Sequence, residues 1–367
     1  MQKLFIAFLL LACLPSYGQK KHPIVDYPLS PRPQLTGAAL YLEHSSDIIQ
    51  ALQGIQSPAD HLFKRAGWWN AANIMEAMVD YNKISGKDMS KTCRQIYKAN
   101  KHKMLGDFRN WAYDDSGWWA MAWIKAYDQY HHAAYLKTAE HIFTYMLNKG
   151  WDDRCNGGMN WMRNHPYKNA VTNELFILLG ARLANRQTDS TRKAYYLNRS
   201  IKAYNWLAQS GMLNADHLYN DGLDGNCKNN HGNTWTYNQG VILAAEKELY
   251  TLTGNNAYLQ SAHQTALACM SKVADADSIL TDRLGKDAGP DCPQFKGIFM
   301  RELAELNTVL KDPAITRFII HNAHAAWNKA QNDYHLFDFK WQGPCNNWSG
   351  AATGAALDLM NAAAMQK

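Results

Sequence analysis

The sequence predicts an all-α fold, an (α/α)6 barrel, on three observations. Apolar residues recur at helical spacing in about twelve stretches of the 367-residue chain. Strand-like alternation is nearly absent. Aromatic-rich loops follow about every second helix, which puts them on one rim of a ring of helix hairpins. A stack of helical repeats is the competing architecture, but no fixed signature recurs at a period of roughly 20–50 residues.

The first 36 residues stand outside that pattern. Met1-Gln2-Lys3 is a short positive region and Leu4 to Leu14 an apolar run; Ser16-Tyr17-Gly18 offers small residues before a cleavage point at Gln19. Residues 1–18 therefore read as a signal peptide, since the run is too short to span a bilayer. A lipobox-like Leu10-Leu11-Ala12-Cys13 offers the alternative of a lipid anchor at Cys13. Either way the protein is expected to be exported, and to be periplasmic, secreted or outer-membrane-attached in a bacterium. Residues 19–36, with Pro23, Pro28, Pro31 and Pro33, read as a linker, and 37–367 as a single domain.

Within that domain helices are expected over about 37–54, 59–84, 88–103, 116–130, 133–149, 169–186, 190–209, 234–252, 255–274, 295–310, 313–332 and 349–364. Ser90, Asp189 and Ser190 can cap helix starts, and Gly150, Gly211 and Gly254 can end helices. In 171–183, Val171, Leu175, Leu178, Leu179 and Leu183 fall near one stripe. Residues 334–341 are the one stretch with the alternation to pair locally.

Composition narrows the function. Aromatic residues are 12% and charged residues 19%, enough for a large core. The net charge of +6 is dispersed, with no basic run of the kind nucleic acids require. There is no Gly-x-Gly-x-x-Gly and no Walker motif, so no nucleotide is expected. The fourteen histidines show no metal spacing, so no metal or other cofactor is expected. Beyond Cys13 the cysteines are Cys93, Cys155, Cys227, Cys269, Cys292 and Cys345, with no C-x-x-C pair. Export permits disulfides, buried free thiols are equally open, and no connectivity follows. A monomer is expected.

The stretch that carries chemistry is Trp111-Ala112-Tyr113-Asp114-Asp115-Ser116-Gly117-Trp118-Trp119-Ala120-Met121-Ala122-Trp123. Asp115 or Ser116 is a natural N-cap for a helix beginning near Gly117. The positive end of that helix would keep one aspartate ionised, while its neighbour, facing a negative charge and indole walls, could hold a proton. Two carboxyl groups beside flat aromatic surfaces are what hydrolysis of a glycosidic bond needs. Simple capping by Asp114 and Asp115 is the alternative.

Other loops supply groups that bind sugar hydroxyls. Trp161, after Gly157-Gly158, offers a platform. Lys168, Asn169 and Asn173 open one apolar helix; Tyr237, Asn238 and Gln239 open another; Lys296 opens a third. Asp221 and Asp224 lie in a Gly-containing turn without the spacing of a calcium loop. For each, helix capping, a turn or a core position is the alternative. Asp152-Asp153 reads as a solvated pair that Arg154 can neutralise.

Taken together these motifs resemble glycoside hydrolase family 76, the endo-α-1,6-mannanases. The resemblance rests on Tyr113-Asp114-Asp115-Ser116-Gly117-Trp118-Trp119, Gly157-Gly158-Met159-Asn160-Trp161, Tyr167-Lys168-Asn169-Ala170, Asp221-Gly222-Leu223-Asp224, Thr236-Tyr237-Asn238-Gln239-Gly240 and Phe295-Lys296-Gly297, which come in the family's order. It implies an (α/α)6 barrel that cleaves α-1,6-linked mannan with retention, Asp114 as nucleophile and Asp115 as acid/base. It also implies that Tyr113, Trp118, Trp161, Lys168, Asn169, Asp221, Asp224, Tyr237, Asn238, Gln239 and Lys296 line the sugar subsites. A glycan-binding protein without catalysis, or a transglycosidase on the same scaffold, is the rival reading.

Overall fold

The computed structural model describes residues 35–282 and 289–366. The proposed signal peptide, Cys13 and nearly all of the linker lie outside the described residues. Contacts divide the chain after Leu35, and the unit that begins at Thr36 holds every described helix.

Twelve α-helices are described, and no β-strand among the described residues. They are α1 (Gly37–Gly54), α2 (Trp68–Ser85), α3 (Ser90–Asn100), α4 (Tyr113–Tyr130), α5 (Ala133–Gly150), α6 (Ala170–Ala184), α7 (Ser190–Gln209), α8 (Thr236–Thr253), α9 (Asn256–Lys272), α10 (Phe295–Leu310), α11 (Pro313–Lys329) and α12 (Gly350–Ala364). The even-numbered helices close a ring, each packing on the next and α12 on α2. The odd-numbered helices lie outside it: α1 and α11 on α12, α3 and α5 on α4, α7 on α6, α9 on α8. This is the (α/α)6 barrel.

Burial separates the two layers. Outer helix α7 buries only Tyr196, Ser200, Ala203, Trp206 and Leu207, the stripe of a surface helix. Inner helix α6 is buried at every position from Ala170 to Ala184. The stripe read in 171–183 is therefore only part of its buried surface, because α4 and α8 cover the flanks and α7 the back. Close approach in the ring requires glycine: a Cβ on Gly297 would sit 2.4 Å from the Ala355 Cα, and one on Gly240 2.7 Å from the Phe299 Cα.

Charge ties the ring together below its mouth. Arg301 on α10 donates to Asp358 on α12 at 3.1 Å and to Asn73 on α2 at 3.0 Å, and pairs with Glu76 at 3.3 Å. Arg182 on α6 reaches Glu76 and Glu302 at 3.5 Å each. Lys125 on α4 reaches Asp80 at 2.5 Å and Glu76 at 3.3 Å.

Two local expectations change. The helix expected from 59 starts at Trp68, because Gln56 bridges Phe63 across a tight loop and His61 and Arg65 take positive φ. Residues 334–341 form no strand; Phe337 makes a single bridge to Gln331. That bridge belongs to a recurring hairpin. Leu213↔Tyr219 follows α7, Ala274↔Leu280 follows α9 and Gln331↔Phe337 follows α11. In each, an Asn or Asp side chain (Asn214, Asp275, Asn332) accepts two backbone N–H groups, and His217, Ser278 or His335 takes a positive φ. Among the described residues one disulfide, Cys155–Cys227, links the loops after α5 and α7, and Cys93, Cys269, Cys292 and Cys345 are free thiols.

Candidate active site

The inner helices bring their N-terminal ends to one mouth, so several positive helix ends point at the same space. A cleft of about 570 Å3 opens there. Its walls come from Trp68 and Trp69 of α2, Asp114, Asp115 and Trp118 of α4, Tyr237 of α8 and Phe295 of α10. The loops add Trp161, Tyr167, Asn169, Asp221 and Asp291.

Helix α4 begins at Tyr113, with Ala112 as N-cap, four residues before the expected start. Tyr113 N–H donates to the Trp161 carbonyl at 2.9 Å. The Ser116 hydroxyl donates to the Ala112 carbonyl at 3.3 Å and accepts from Asn110 N–H at 2.9 Å. Ser116 thus locks the first turn from inside it instead of capping it. Asp114 and Asp115 are both first-turn residues, where the unpaired N–H groups and the dipole favour negative charge.

The two carboxyls differ in their partners. Asp114 accepts from Asp115 N–H at 2.9 Å and from the Trp161 indole N–H at 2.9 Å. Asp115 accepts from the Asn110 side-chain amide. Burial pushes Asp114 above the usual carboxylate range, opposed by those two donors. Burial, then the charges of Asp114 and Asp291, push Asp115 well above that range. Asp114 has two hydrogen-bond donors to the one on Asp115, which favours negative charge on Asp114.

Around the pair the aromatic surfaces are ordered. Trp69 and Trp118 stack at 5.5 Å between centroids, and Tyr237 and Phe295 at 3.9 Å and 5°. The Trp69 indole N–H donates to Asp291 at 2.8 Å. Tyr167 donates its hydroxyl to Asp221, whose carboxyl burial also raises. Flat rings alternating with carboxyl and amide groups suit a ligand with apolar faces and a belt of hydroxyls.

Of the residues expected from sequence, the structure brings Asp114, Asp115, Trp118, Trp161, Asn169, Asp221 and Tyr237 to this cleft. It does not bring the other seven there, among them Asn173, which is buried and bonded to the N–H and carbonyl of Met159. Tyr113 is buried and donates to the Lys149 carbonyl at 2.6 Å. Lys168 is 1% exposed, with its ammonium 2.5 Å from Asp152 and 2.6 Å from the Gly158 carbonyl, so it is Lys168 that pairs with Asp152. Asp224 closes its own turn through Asn226 and Lys228 N–H. Asn238 is fully buried beside the ring. Gln239 holds both the N–H and the carbonyl of Tyr219 at 2.9 Å, anchoring the hairpin after α7. Lys296 donates to the Phe339 carbonyl at 2.7 Å and lies over the Trp341 ring at 4.2 Å.

Trp68, Trp69, Tyr167, Asp291 and Phe295 line the cleft too, though none was named as a sugar contact from the sequence. The Trp68-Trp69 doublet and the motif positions of Tyr167 and Phe295 were visible signals. Asp291 carries none beyond a turn between Pro290 and Pro293. Conversely, Trp119 and Trp123 are fully buried and pack on Phe108, so two of the four indoles in the stretch beside the acids are core.

The glycosyl hydrolase family 76 model matches residues 44–367. The mannan endo-1,6-alpha-mannosidase DFG5 of Candida albicans is 28% identical over 229 residues, covering 56% of this chain and 50% of that protein. DCW1 of Saccharomyces cerevisiae, of the same name, is 28% identical over 213 residues, 52% of this chain and 46% of that protein. The chain thus spans about half the length of these curated relatives. Among solved structures, the GH76A α-1,6-mannanase of Salegentibacter sp. HEL1_6 aligns with a TM-score of 0.80 at 20% identity, covering 89% of this chain and 100% of that chain. A variant of that enzyme, inactivated at two consecutive aspartates and in complex with α-1,6-mannotetrose, aligns at 0.78 with 20% identity, covering 89% of this chain and 99% of that one.

Proposed function

Since this chain belongs to glycosyl hydrolase family 76, we propose that it is an exported, retaining, endo-acting hydrolase of α-1,6-linked mannan. The observation that carries the reading is the Asp114–Asp115 pair, set in the first turn of an inner helix and opening on an indole-walled cleft. The curated relatives' names and the α-1,6-mannotetrose complex of the Salegentibacter enzyme support the choice of substrate. Inactivation of that enzyme at two consecutive aspartates supports the choice of groups.

The chemistry follows from the partners of each carboxyl. Asp114, with two N–H donors, is the carboxylate whose oxygen bonds to the anomeric carbon. Asp115, raised further, gives its proton to the glycosidic oxygen as the bond to the anomeric carbon breaks. The leaving mannan departs as an alcohol and leaves a glycosyl ester on Asp114. Asp115, now a carboxylate, takes a proton from water as that water attacks the same carbon, which frees Asp114 and restores the configuration. The rings of Trp69, Trp118, Tyr237 and Phe295 carry the sugar faces, and Asn169 and Asp221 meet hydroxyls.

The test is digestion of debranched α-1,6-mannan and its oligosaccharides by the wild type, Asp114→Asn and Asp115→Asn. Internal cleavage with retained configuration, lost in both variants, is expected. Binding with every oligosaccharide intact would favour the non-catalytic reading, and longer products at high acceptor concentration a transglycosidase. Mass analysis of the mature N-terminus tests export: a chain starting at Gln19, or a diacylglyceryl Cys13, is expected.

A further inference from the structure

The mannanase reading uses two acids, but four carboxyls line the cleft; Asp221 among them accepts from the Tyr167 hydroxyl, which leaves a third beside the pair. The third, Asp291, sits in the turn before α10 and is fastened to α2 by the Trp69 indole N–H at 2.8 Å. Trp69 is itself held, stacked on Trp118 one helical turn beyond Asp114 and Asp115. The Asp291 carboxyl also borders an adjoining cavity of about 480 Å3, shared through Gly67, so solvent and ligand reach it from both sides.

Resting on the mannanase reading, we propose that Asp291 is a positioning residue for the acid pair: a fixed negative charge across the cleft that keeps the proton on Asp115. Like charges confined in one low-dielectric space cannot all ionise, and the member with fewest donors takes up the proton. Asp115 and Asp291 accept one donor each, from Asn110 and Trp69, and of the two Asp115 is the less exposed, so the proton goes to Asp115. The charge of Asp291 acts on both acids in the same direction, upward. Among the described residues, the titratable groups that Asp291 faces are Asp114 and Asp115 from α4, Tyr237 from α8 and Cys292 beside it. The cation in the adjoining cavity, Arg65, is engaged with the Asn347 amide and the Trp348 ring.

The experiment is the pH profile of kcat/KM on an α-1,6-manno-oligosaccharide for the wild type, Asp291→Asn and Asp291→Glu. Asn keeps the acceptor for Trp69 and removes only the charge. Both limbs of the bell are expected to move to lower pH in Asp291→Asn, the basic limb by about one unit, a roughly tenfold change in proton affinity. KM is expected to stay within about threefold, and Asp291→Glu to return the limbs toward wild type. If Asp291→Asn does not fold, Trp69→Phe frees the carboxylate from its anchor, and a smaller shift of the basic limb in the same direction is expected. Limbs that stay in place in a folded variant, or a rise in KM alone, would overturn the proposal. Carboxyl 13C titration of aspartate-labelled protein, assigned with Asp115→Asn, reads the same shift without substrate. A shifted Asp115 titration in a protein that leaves mannan intact therefore upholds Asp291 while removing the mannanase reading.

Discussion

Two groups of buried acids lie in the same ring of helices, one at its mouth and one below it, and they are treated oppositely. Below the mouth, Glu76 is fully buried, yet Arg301, Lys125 and Arg182 around it outweigh burial and hold its carboxyl below the usual range. Glu305, paired with Lys247 at 2.8 Å, is held down at about 2. At the mouth, Asp114 and Asp115 face another carboxylate and indoles, and burial raises both. The lower network is not uniform. Asp358 pairs with Arg301 at 3.1 Å but is pushed up to about 7, because burial dominates and its second oxygen has no hydrogen-bond partner among the described residues. Around Glu76 and Glu305 the fold places cations, and around Asp114 and Asp115 none is among the described groups that shift them.

The largest effect expected from breaking this contrast is on activity. Asp114→Asn and Asp115→Asn should each lower kcat/KM on α-1,6-mannan by about a thousandfold or more, on the order of 4 kcal/mol. Their melting temperatures should not fall, since each substitution removes a buried acid without cationic compensation. Scanning calorimetry alongside kinetics checks both halves.

Breaking the lower network should do the reverse. Arg301→Met leaves Glu76, Glu302 and Asp358 buried without their shared cation, and should cost about 3–5 kcal/mol in urea unfolding. Activity per folded molecule should change far less than in the aspartate variants.

The two groups should also slope oppositely with pH. Glu305 has a folded value of about 2 against an ordinary 4.5, so its stabilisation is present above 4.5 and lost as pH falls toward 2. Asp114 and Asp115 have raised folded values, so their contribution is complete below the ordinary carboxylate value and lost as pH rises through the raised ones. Urea midpoints should therefore rise from pH 8 toward 5 and fall below about 4. The double asparagine variant should lose part of the first slope, the remainder belonging to other raised acids such as Asp358 and Glu246, and keep the second.

The smallest effect sharpens the boundary of the site. Tyr113→Phe removes one hydrogen bond to the Lys149 carbonyl and should cost about 1 kcal/mol of stability. It should leave kcat/KM within about twofold, because the hydroxyl points away from the cleft. A large loss of activity with stability intact would move Tyr113 back among the sugar contacts.

Much of this was legible in the chain. Helical spacing located all twelve helices, since an apolar stripe at that period has few other uses. The tryptophan-flanked acids and the motifs around Trp161, Asn169, Asp221 and Tyr237 pointed to residues that do meet at one cleft. Less legible was which member of each motif would reach it. Lys168 and Asn169 are adjacent, as are Tyr237 and Asn238. In each pair one lines the cleft and the other is buried away from it. Neighbours in a chain point in different directions, and the choice depends on the exact rotation of the helix start.

By itself, then, the sequence determined what local chemistry can determine: helix content, the outer stripes, and an acid pair among indoles. Tertiary structure alone decided that α4 starts at Tyr113, that Gln239 anchors a hairpin, and that Asp291 stands opposite the acids. Those facts follow from closing a ring. Only then does Trp69 of α2 come to the turn before α10, 222 residues away along the chain, and no local pattern records so distant a meeting.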